Sequence, residues 1–382
     1  MISLHGAYFG DNFGDLLLLE IFKNWVTENN DCEVVLPMTG VVQKLPKENL
    51  RKHFPHIAMG LKSFQEWQSV VYFGGGYFGE PDWARGQKFK LHWWNRRFIK
   101  THILPAELSI WKDIPYGIFG VEVGPISNIL LRTELKRILN RAKFLSVRNV
   151  ESKQYIENDL GINRDIVVAP DAALTINKED IPYQSIEDID QFLKPYRDNI
   201  LLGIHAPGNF LGNTAQSQRM REGLITVLKS YSDVMPVVFS DNTLNRSVTC
   251  EELANLIKST TGKECLSLPF QGIWETVALI SRLSALLTTK LHVGIVAYAL
   301  QVYCESFATH QKTPKFYRVI DCSERCKMVN EITSVDMVVE KINRAVKFAN
   351  TVDPRLFMQW ETVRNEALIN RDLVHKLIEK VY

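Results

Sequence analysis

Short apolar runs alternate with helical patterns along most of this chain. Runs bounded by Gly, Pro or Asp predict strands at 2–4, 33–36, 70–73, 116–121, 144–147 and 166–168. A second set follows at 200–204, 235–239, 286–289 and 302–305. Apolar strands separated by helices are typical of parallel sheets that are covered by helices. The pattern therefore predicts an α/β protein.

An acidic and irregular segment divides this pattern into two sets. Between about 177 and 198 the chain carries Pro182, Pro195 and the run Glu-Asp-Ile-Asp at 187–190, a composition typical of a linker. The predicted fold class is α/β, with two facing doubly wound, Rossmann-like domains. The predicted boundaries are an N-terminal α/β domain over 1–178, a linker over 179–198, a C-terminal α/β domain over 199–350, and a helical segment over 351–382 that packs back on the first domain.

The composition narrows the functional class. The chain of 382 residues carries 45 basic and 43 acidic residues, a formal net charge of +2, which argues against bulk binding of nucleic acid. Any recognition of anions must therefore be local. The six cysteines are scattered, and they show neither a disulfide framework nor the paired spacing of a metal site. Without a signal-peptide pattern or an apolar run of membrane-spanning length, the sequence predicts a cytoplasmic protein.

The segment 288–295 places two basic side chains at the start of a predicted helix. A buried strand over 284–288 is followed by Thr289 as the expected N-cap, by Lys290 at N1 and by His292 at N3. Cations gain nothing from the positive end of a helix, so this arrangement favours a bound phosphate or carboxylate. The alternative is a solvated lysine beside a histidine that packs on the preceding loop.

Two glycine-rich turns follow predicted strands in the first domain. The first runs from Gly6 to Asp15, includes Asn12 and Gly14, and leads into a helix. It matches neither the dinucleotide fingerprint nor a phosphate-binding Walker loop, and it suits either a ligand or a tight turn capped by Asp15. The second turn holds Gly74, Gly75 and Gly76, and glycine clusters are first of all loop signals.

Three polar residues follow other predicted strands, where ligands of open parallel sheets bind. Arg148 is placed for bidentate contact with a phosphate or carboxylate, or for an ion pair. Asp171 could orient a base or cap the following turn. His205 ends the first strand of the second domain, and it either reaches a ligand or is satisfied by the loop around it.

A basic and aromatic stretch covers 83–100. It has no acidic residue, and its six cations, Arg85, Lys88, Lys90, Arg96, Arg97 and Lys100, are interleaved with Trp83, Phe89, Trp93, Trp94 and Phe98. This composition suits a membrane interface or an anionic, lipid-linked substrate better than nucleic acid, given the balanced charge of the chain. The alternative is a solvated loop with aromatic core anchors.

Taken together, these motifs resemble the polysaccharide pyruvyl transferase family. The matching pieces occur in the family's order over roughly residues 1–310: the turn through Asp15, the glycine cluster, 123–125, 146–152 with Arg148, 170–171, and Lys290-Leu291-His292 with its helix of small residues. The chain departs from the family's usual Arg-Leu-His at the last motif. There the single point charge of Lys290 replaces the guanidinium of arginine, which can form two parallel hydrogen bonds.

The resemblance implies a GT-B-like fold and transfer of pyruvate from phosphoenolpyruvate to two hydroxyls of a sugar, with release of phosphate. It implies a sugar acceptor in a cell-surface or exopolysaccharide precursor, such as a lipid-linked oligosaccharide. No cofactor and no metal are expected. We expect His292, Arg148 and Asp171 to act in catalysis. We expect substrate contacts from Lys290, Thr289, Asn12, Gly14, Asp15, Gly75, Gly76 and His205. The alternatives are a nucleotide-sugar glycosyltransferase of the same fold and a catalytically silent subunit of a polysaccharide assembly complex.

Overall fold

The protein consists of two compact α/β units. The computed structural model describes residues 1–8, 12–28, 32–37, 45–60, 64–75, 78–81, 84, 86–242, 246–349, 351 and 354–379. Unit 1 comprises residues 1–11, 15–172 and 365–382, and unit 2 comprises residues 12–14 and 173–364. Among the described residues, no helix is both long and apolar enough to cross a membrane.

Unit 1 contains a parallel sheet with the strand order β3-β2-β1-β4-β5-β6-β7. The strands are β1 (Ile2–His5), β2 (Val34–Leu36), β3 (Ala58–Met59), β4 (Ser69–Phe73), β5 (Tyr116–Val121), β6 (Phe144–Val147) and β7 (Val167–Val168). The central strands are buried along their whole length, as expected of a sheet with helices on both faces.

Six helices of the described chain follow these strands in turn. They are α1 (Phe13–Thr27), α2 (Leu45–His53), α3 (Lys88–Phe98), α4 (Leu104–Trp111), α5 (Ile129–Arg141) and α6 (Val150–Gln154). Asn128 caps α5 and Asn149 caps α6, each with its side-chain oxygen on first-turn N–H groups.

Unit 2 contains a second parallel sheet with the strand order β10-β9-β8-β11-β12-β13. Its strands are β8 (Ile200–His205), β9 (Val234–Phe239), β10 (Leu266–Leu268), β11 (Ala285–Thr288), β12 (Tyr303–Ala308) and β13 (Cys326–Met328). Its helices are α7 (Tyr183–Leu193), α8 (Gly208–Leu211), α9 (Ala215–Ser230), α10 (Arg246–Thr261), α11 (Ile273–Arg282), α12 (Leu291–Ala299), α13 (Lys312–Val319) and α14 (Val335–Lys347).

The predicted fold class, α/β with two doubly wound domains, is confirmed. All ten predicted strands are present, most of them within one residue of the expected bounds. The edge strands β3, β10 and β13 were not predicted, whereas the equally short strands β2 and β7 were. In both sheets the edge strands within the described chain are only two or three residues long.

Two further helical segments lie outside the two sheets. The segment predicted as a linker, 179–198, differs from that expectation because it contains the amphipathic helix α7, which buries Ile189 and Leu193. The last helix, α15 (Trp360–Glu379), packs on unit 1 from residue 365 onward. There Asn370 donates to the carbonyl of Pro170 and accepts from the hydroxyl of Ser146.

An aromatic cluster holds the α3 region against the sheet of unit 1. A π-helical turn over Ile99–Ile103 joins α3 to α4 and buries His102 between His5 and Phe78, with ring centroids 5.6 Å and 4.9 Å away. Tyr72 donates to the carbonyl of His102. Burial, with a smaller contribution from Arg97, lowers the pKa of His102 to about 3, so the ring is neutral at physiological pH.

A buried charge cluster ties α14 to the sheet of unit 2. Glu305 on β12 is fully buried and contacts Lys341 Nζ at 2.5 Å and Arg344 Nε at 2.5 Å. The Tyr303 hydroxyl donates to the same carboxylate at 3.0 Å. Burial lowers the pKa of Lys341 in spite of the opposing attraction of Glu305. The carboxylate therefore holds two cations that would be costly to bury alone.

We predict that Glu305→Gln lowers the free energy of unfolding by about 3 kcal/mol, because removing one partner of a buried ion pair leaves the other charges uncompensated. Urea-induced unfolding followed by circular dichroism measures this change. Glu264→Gln is the matched control. Its partner Lys258 is exposed, so water already screens the pair and stability should hardly move. An equal loss of stability in both variants would contradict the stabilising role that we assign to the buried ion pairs of Glu305.

Candidate active site

The sheet of unit 2 has its topological switch point between β8 and β11. These two strands are neighbours, and the chain continues from β8 to β9 on one side and from β11 to β12 on the other. Ligands of open parallel sheets bind at the carboxyl ends of the strands beside such a point. β8 ends at His205 and β11 ends at Thr288. The residues that follow these strands form the candidate site of this unit.

The helix after β11 begins one residue later than the sequence predicted. The N-cap is Lys290, and the helix starts at Leu291, so Thr289 is not the cap. The cause is hydrogen bonding by the two threonines. Thr288 Oγ1 accepts from the backbone N–H of Lys290 at 3.1 Å, and Thr289 Oγ1 accepts from the side-chain amide of Asn209 at 2.7 Å.

The corrected register leaves both basic side chains at the N-terminal end of α12. Lys290 is the N-cap residue, His292 is the second helical residue, and both are half-buried. A lysine side chain has no acceptor atom, and no side-chain capping bond forms at Lys290. The first-turn N–H groups therefore lie beside two basic residues at one positive helix end, and such a helix end can bind anions.

His205 lies beneath this helix start and is fully buried. Its Nδ1 lies 2.9 Å from Thr288 Oγ1, and its Nε2 lies 3.8 Å from an oxygen of Asp241. The ring packs on Phe239 with centroids 5.0 Å apart. The ring does not reach the surface. His205 instead links the end of β8 to the hydroxyl that holds Lys290.

Residues 12–14 join the same site. The backbone N–H of Phe13 donates to the carbonyl of Asp241 at 2.8 Å, and Asn12 precedes it, half-buried. The ring of His292 packs on the backbone of Gly14 so closely that a Cβ there would lie 2.1 Å from Nδ1. Only glycine allows this approach. Six candidate residues therefore lie together in unit 2, although the sequence analysis singled out each of them separately. They are Lys290, Thr289, His292, His205, Asn12 and Gly14.

Unit 1 holds a separate buried charge cluster at the ends of β5, β6 and β7. Arg148 donates to Glu122 at 2.5 Å and to Asp171 at 3.3 Å, and all three side chains are buried. Burial alone would lower the pKa of Arg148, but its attraction to Glu122 and Asp171 outweighs burial and raises the pKa. Two carboxylates therefore pair with this guanidinium in the described structure.

The remaining candidates also belong to unit 1 or lie outside the described residues. Asp15 is buried in the first turn of α1, where a carboxylate is favoured by the helix dipole. Gly75 has a φ of 71°, a conformation that favours glycine, and its carbonyl accepts from the N–H of Glu122. Gly76 lies outside the described residues.

Four residues of these clusters were missed by the sequence analysis: Glu122, Asn209, Asp241 and Thr288. Glu122 directly follows β5, and Asp241 lies two residues beyond β9. The rule that singled out Arg148 and His205, a polar residue after a strand, would have found both. The described residues contain no group of three or more His, Cys, Asp or Glu side chains placed to hold a metal ion.

Comparison with solved structures identifies the fold. The chain is similar to UDP-GlcNAc 2-epimerase from Neisseria meningitidis bound to UDP-GlcNAc, at 12% identity and a TM-score of 0.62, with 99% of each chain covered. It is similar to UDP-GlcNAc 2-epimerase from Methanocaldococcus jannaschii, at 13% identity and a TM-score of 0.60, with 98% of this chain and 99% of that chain covered. MurG from Acinetobacter baumannii matches at 11% identity and a TM-score of 0.52, with 98% and 99% covered. These likenesses establish a GT-B-type fold.

Sequence comparison identifies the family. No curated protein sequence matches the chain significantly. The family model of polysaccharide pyruvyl transferase matches residues 12–310, a range that includes the cluster around Arg148 and the whole switch-point site. This match confirms the resemblance drawn from the motifs around Gly14, Arg148 and His292. The chain belongs to the polysaccharide pyruvyl transferase family, a family of transferases of polysaccharide biosynthesis.

Proposed function

We propose that this protein transfers pyruvate from phosphoenolpyruvate to two hydroxyls of a sugar, forming a cyclic ketal and releasing phosphate. The observation that carries the proposal is the positive helix end at the switch point of unit 2, where Lys290 and His292 stand together. Family membership supplies the reaction class. The proposed donor site is the N-terminal end of α12.

The donor matches this site in charge. Phosphoenolpyruvate carries a phosphate of about −2 and a carboxylate, and it needs convergent N–H donors and a cation. The first turn of α12 offers N–H groups, and the Lys290 side chain adds a point charge. Thr289 and Asn209 hold the preceding loop through their mutual hydrogen bond. We assign donor binding to Lys290 and the helix start, and a supporting role to Thr289.

The proposed reaction requires proton transfers at three places. The methylene carbon of the donor gains a proton and becomes a methyl group, which leaves C2 cationic and open to attack by two hydroxyls. The C2–O bond to phosphate breaks. Of the two hydroxyl protons, one balances the proton gained by the methylene carbon and the other leaves with phosphate. We assign general acid and base work to His292, because an imidazole ring can both donate and accept a proton. No cofactor is needed, since the donor brings its own leaving group.

The acceptor is proposed to be a sugar of a cell-surface or exopolysaccharide precursor, such as a lipid-linked oligosaccharide. An acceptor of this kind would place the enzyme in the cytoplasm, at the inner face of the membrane. The test is release of inorganic phosphate from phosphoenolpyruvate, measured with and without lipid-linked oligosaccharide acceptors. Acceptor-dependent release supports the proposal. Hydrolysis of a nucleotide sugar instead would favour a glycosyltransferase, and inactivity with either donor would favour a silent binding subunit.

Lys290→Ala should lower kcat/KM for phosphoenolpyruvate roughly 10-fold to 150-fold, because one charge-assisted contact is lost. Lys290→Arg keeps the charge and should lose less kcat/KM, since the guanidinium differs from the ammonium mainly in reach and geometry. Steady-state phosphate release at varied donor concentration measures both. The acceptor KM should stay constant, and Lys258→Ala, which removes an exposed cation of α10, is the control. Normal donor kinetics in Lys290→Ala would exclude this residue from the donor site.

His292→Ala should lower kcat by roughly 10² to 10⁴, the usual cost of removing a general acid or base. Gly14→Ala should lower kcat by about 100-fold, because its methyl group displaces the imidazole. In the double variant the glycine substitution should add no further loss, since the displaced ring is already gone. Single-turnover kinetics of the two single variants and the double variant measure these losses. Thermal unfolding checks that each variant is folded. Additive losses would show that Gly14 acts independently of His292.

We further propose that Arg148 holds the carboxylates of Glu122 and Asp171 in position at the strand ends of unit 1. Arg148→Ala leaves two buried carboxylates unpaired and should lower the free energy of unfolding by about 3–5 kcal/mol. The triple variant Arg148→Ala, Glu122→Gln, Asp171→Asn should recover part of this loss. Urea unfolding measures both variants. A stable Arg148→Ala enzyme with a raised donor KM would instead restore Arg148 as a donor-binding residue.

A further inference from the structure

The helical segment from α3 through the π turn to α4 has one face on the sheet and one face in solvent. Trp94 and Phe98, four residues apart, are buried in the core of unit 1. Phe89 and Trp93, also four residues apart, are exposed on the other side, with Phe89 at 87% and Trp93 at 52% exposure. Side chains three or four residues apart share one side of a helix. The structure thus separates the aromatic residues of 83–100 into core anchors and surface residues.

The exposed apolar side chains continue beyond residue 100. Ile99 begins the π turn and Leu104 directly follows it, and both are exposed, while Trp111 at the end of α4 is 73% exposed. Single exposed apolar residues are ordinary, whereas five of them on one helical segment of 24 residues concentrate apolar surface on that segment. We call Phe89, Trp93, Ile99, Leu104, Trp111 and the cations among them the basic aromatic face.

Exposed cations surround these apolar side chains. They are Lys88, Lys90, Arg96, Arg97, Lys100 and Lys112. The sequence has no Asp or Glu from Trp83 through Ala106, so these charges are not matched along the helix. Arg97 lies over the ring of Trp93 at 5.6 Å and Lys112 over that of Trp111 at 4.6 Å. Trp83 and Arg85 lie outside the described residues.

We propose that the basic aromatic face binds the surface of an anionic lipid bilayer. Amphipathic helices that lie in the membrane interface combine Trp, Phe and Leu with Lys and Arg in this way. The aromatic rings enter the headgroup region, and the cations contact lipid phosphates. Anchoring by Trp94, Phe98 and the buried His102 keeps the helical segment folded, so binding needs no rearrangement.

The observations favour lipid over nucleic acid. Base stacking uses aromatic rings, but Ile99 and Leu104 offer only aliphatic surface, which suits acyl chains. The chain as a whole is nearly neutral, with a formal net charge of +2. This binding does not depend on the proposed reaction, and it would bring the enzyme to the leaflet that carries a lipid-linked acceptor.

The test is co-sedimentation of the full chain with vesicles of phosphatidylglycerol, compared with vesicles of phosphatidylcholine. Arg96→Ala with Arg97→Ala should weaken binding to phosphatidylglycerol about 30-fold at low salt, and the difference should shrink as salt rises. Phe89→Ser with Trp93→Ser and Trp111→Ser should weaken binding at every salt concentration. These side chains are exposed, so thermal unfolding should not change.

Matched controls lie in unit 2. Lys229→Ala with Lys258→Ala removes two exposed cations, and Tyr183→Ser with Met358→Ser removes two exposed apolar side chains. Both controls should bind vesicles as the unaltered protein does. Phosphate release with a water-soluble acceptor should stay normal in the surface variants, which separates membrane binding from catalysis. Equal binding by all variants, no preference for phosphatidylglycerol, or tighter binding to a single-stranded oligonucleotide would overturn the proposal.

Discussion

The hydroxyl of Thr288 is the contact on which the candidate donor site depends. It accepts the N–H of Lys290 and lies against the buried ring of His205, so it connects the ends of β8 and β11. This contact fixes where α12 begins, and that position decides which N–H groups point outward. A shift of one residue would rotate His292 by about 100° around the helix and away from Gly14. The positions of the half-buried Lys290 and His292 thus rest on a buried polar network.

The two buried charge clusters show how position changes the meaning of an arginine. Arg344 stabilises α14 on β12 through Glu305, far along the chain from the candidate residues. Arg148 lies at the carboxyl ends of strands, where ligands bind, yet it is paired with two carboxylates. A strand-end arginine is therefore only a candidate until its partners are known. Electrostatic balance, and not location alone, decides whether it can accept an anion.

The central strands and the main site motifs could be predicted from the sequence because each is a local pattern. Short, mainly apolar runs marked β1, β5 and β6, and a buried strand before a helix of small residues marked Lys290 and His292. The pairing of Arg148 with Glu122 could not be predicted, since it depends on the register of β5 and β6. The N-cap was placed one residue early because both threonines suit the position, and only their partners distinguish them.

Helix α7 was hidden by its flanking prolines, although Ser185, Ile189 and Leu193 follow the helical period. Three of the four short edge strands, β3, β10 and β13, were also missed, and the shortness of the edges has a consequence of its own. A sheet edge exposes unpaired backbone groups that can recruit another chain. Both parallel sheets are strongly apolar, yet their edges offer only two or three residues on each side in the described chain. The protein therefore presents little template for edge-to-edge aggregation, even where it is crowded against neighbours.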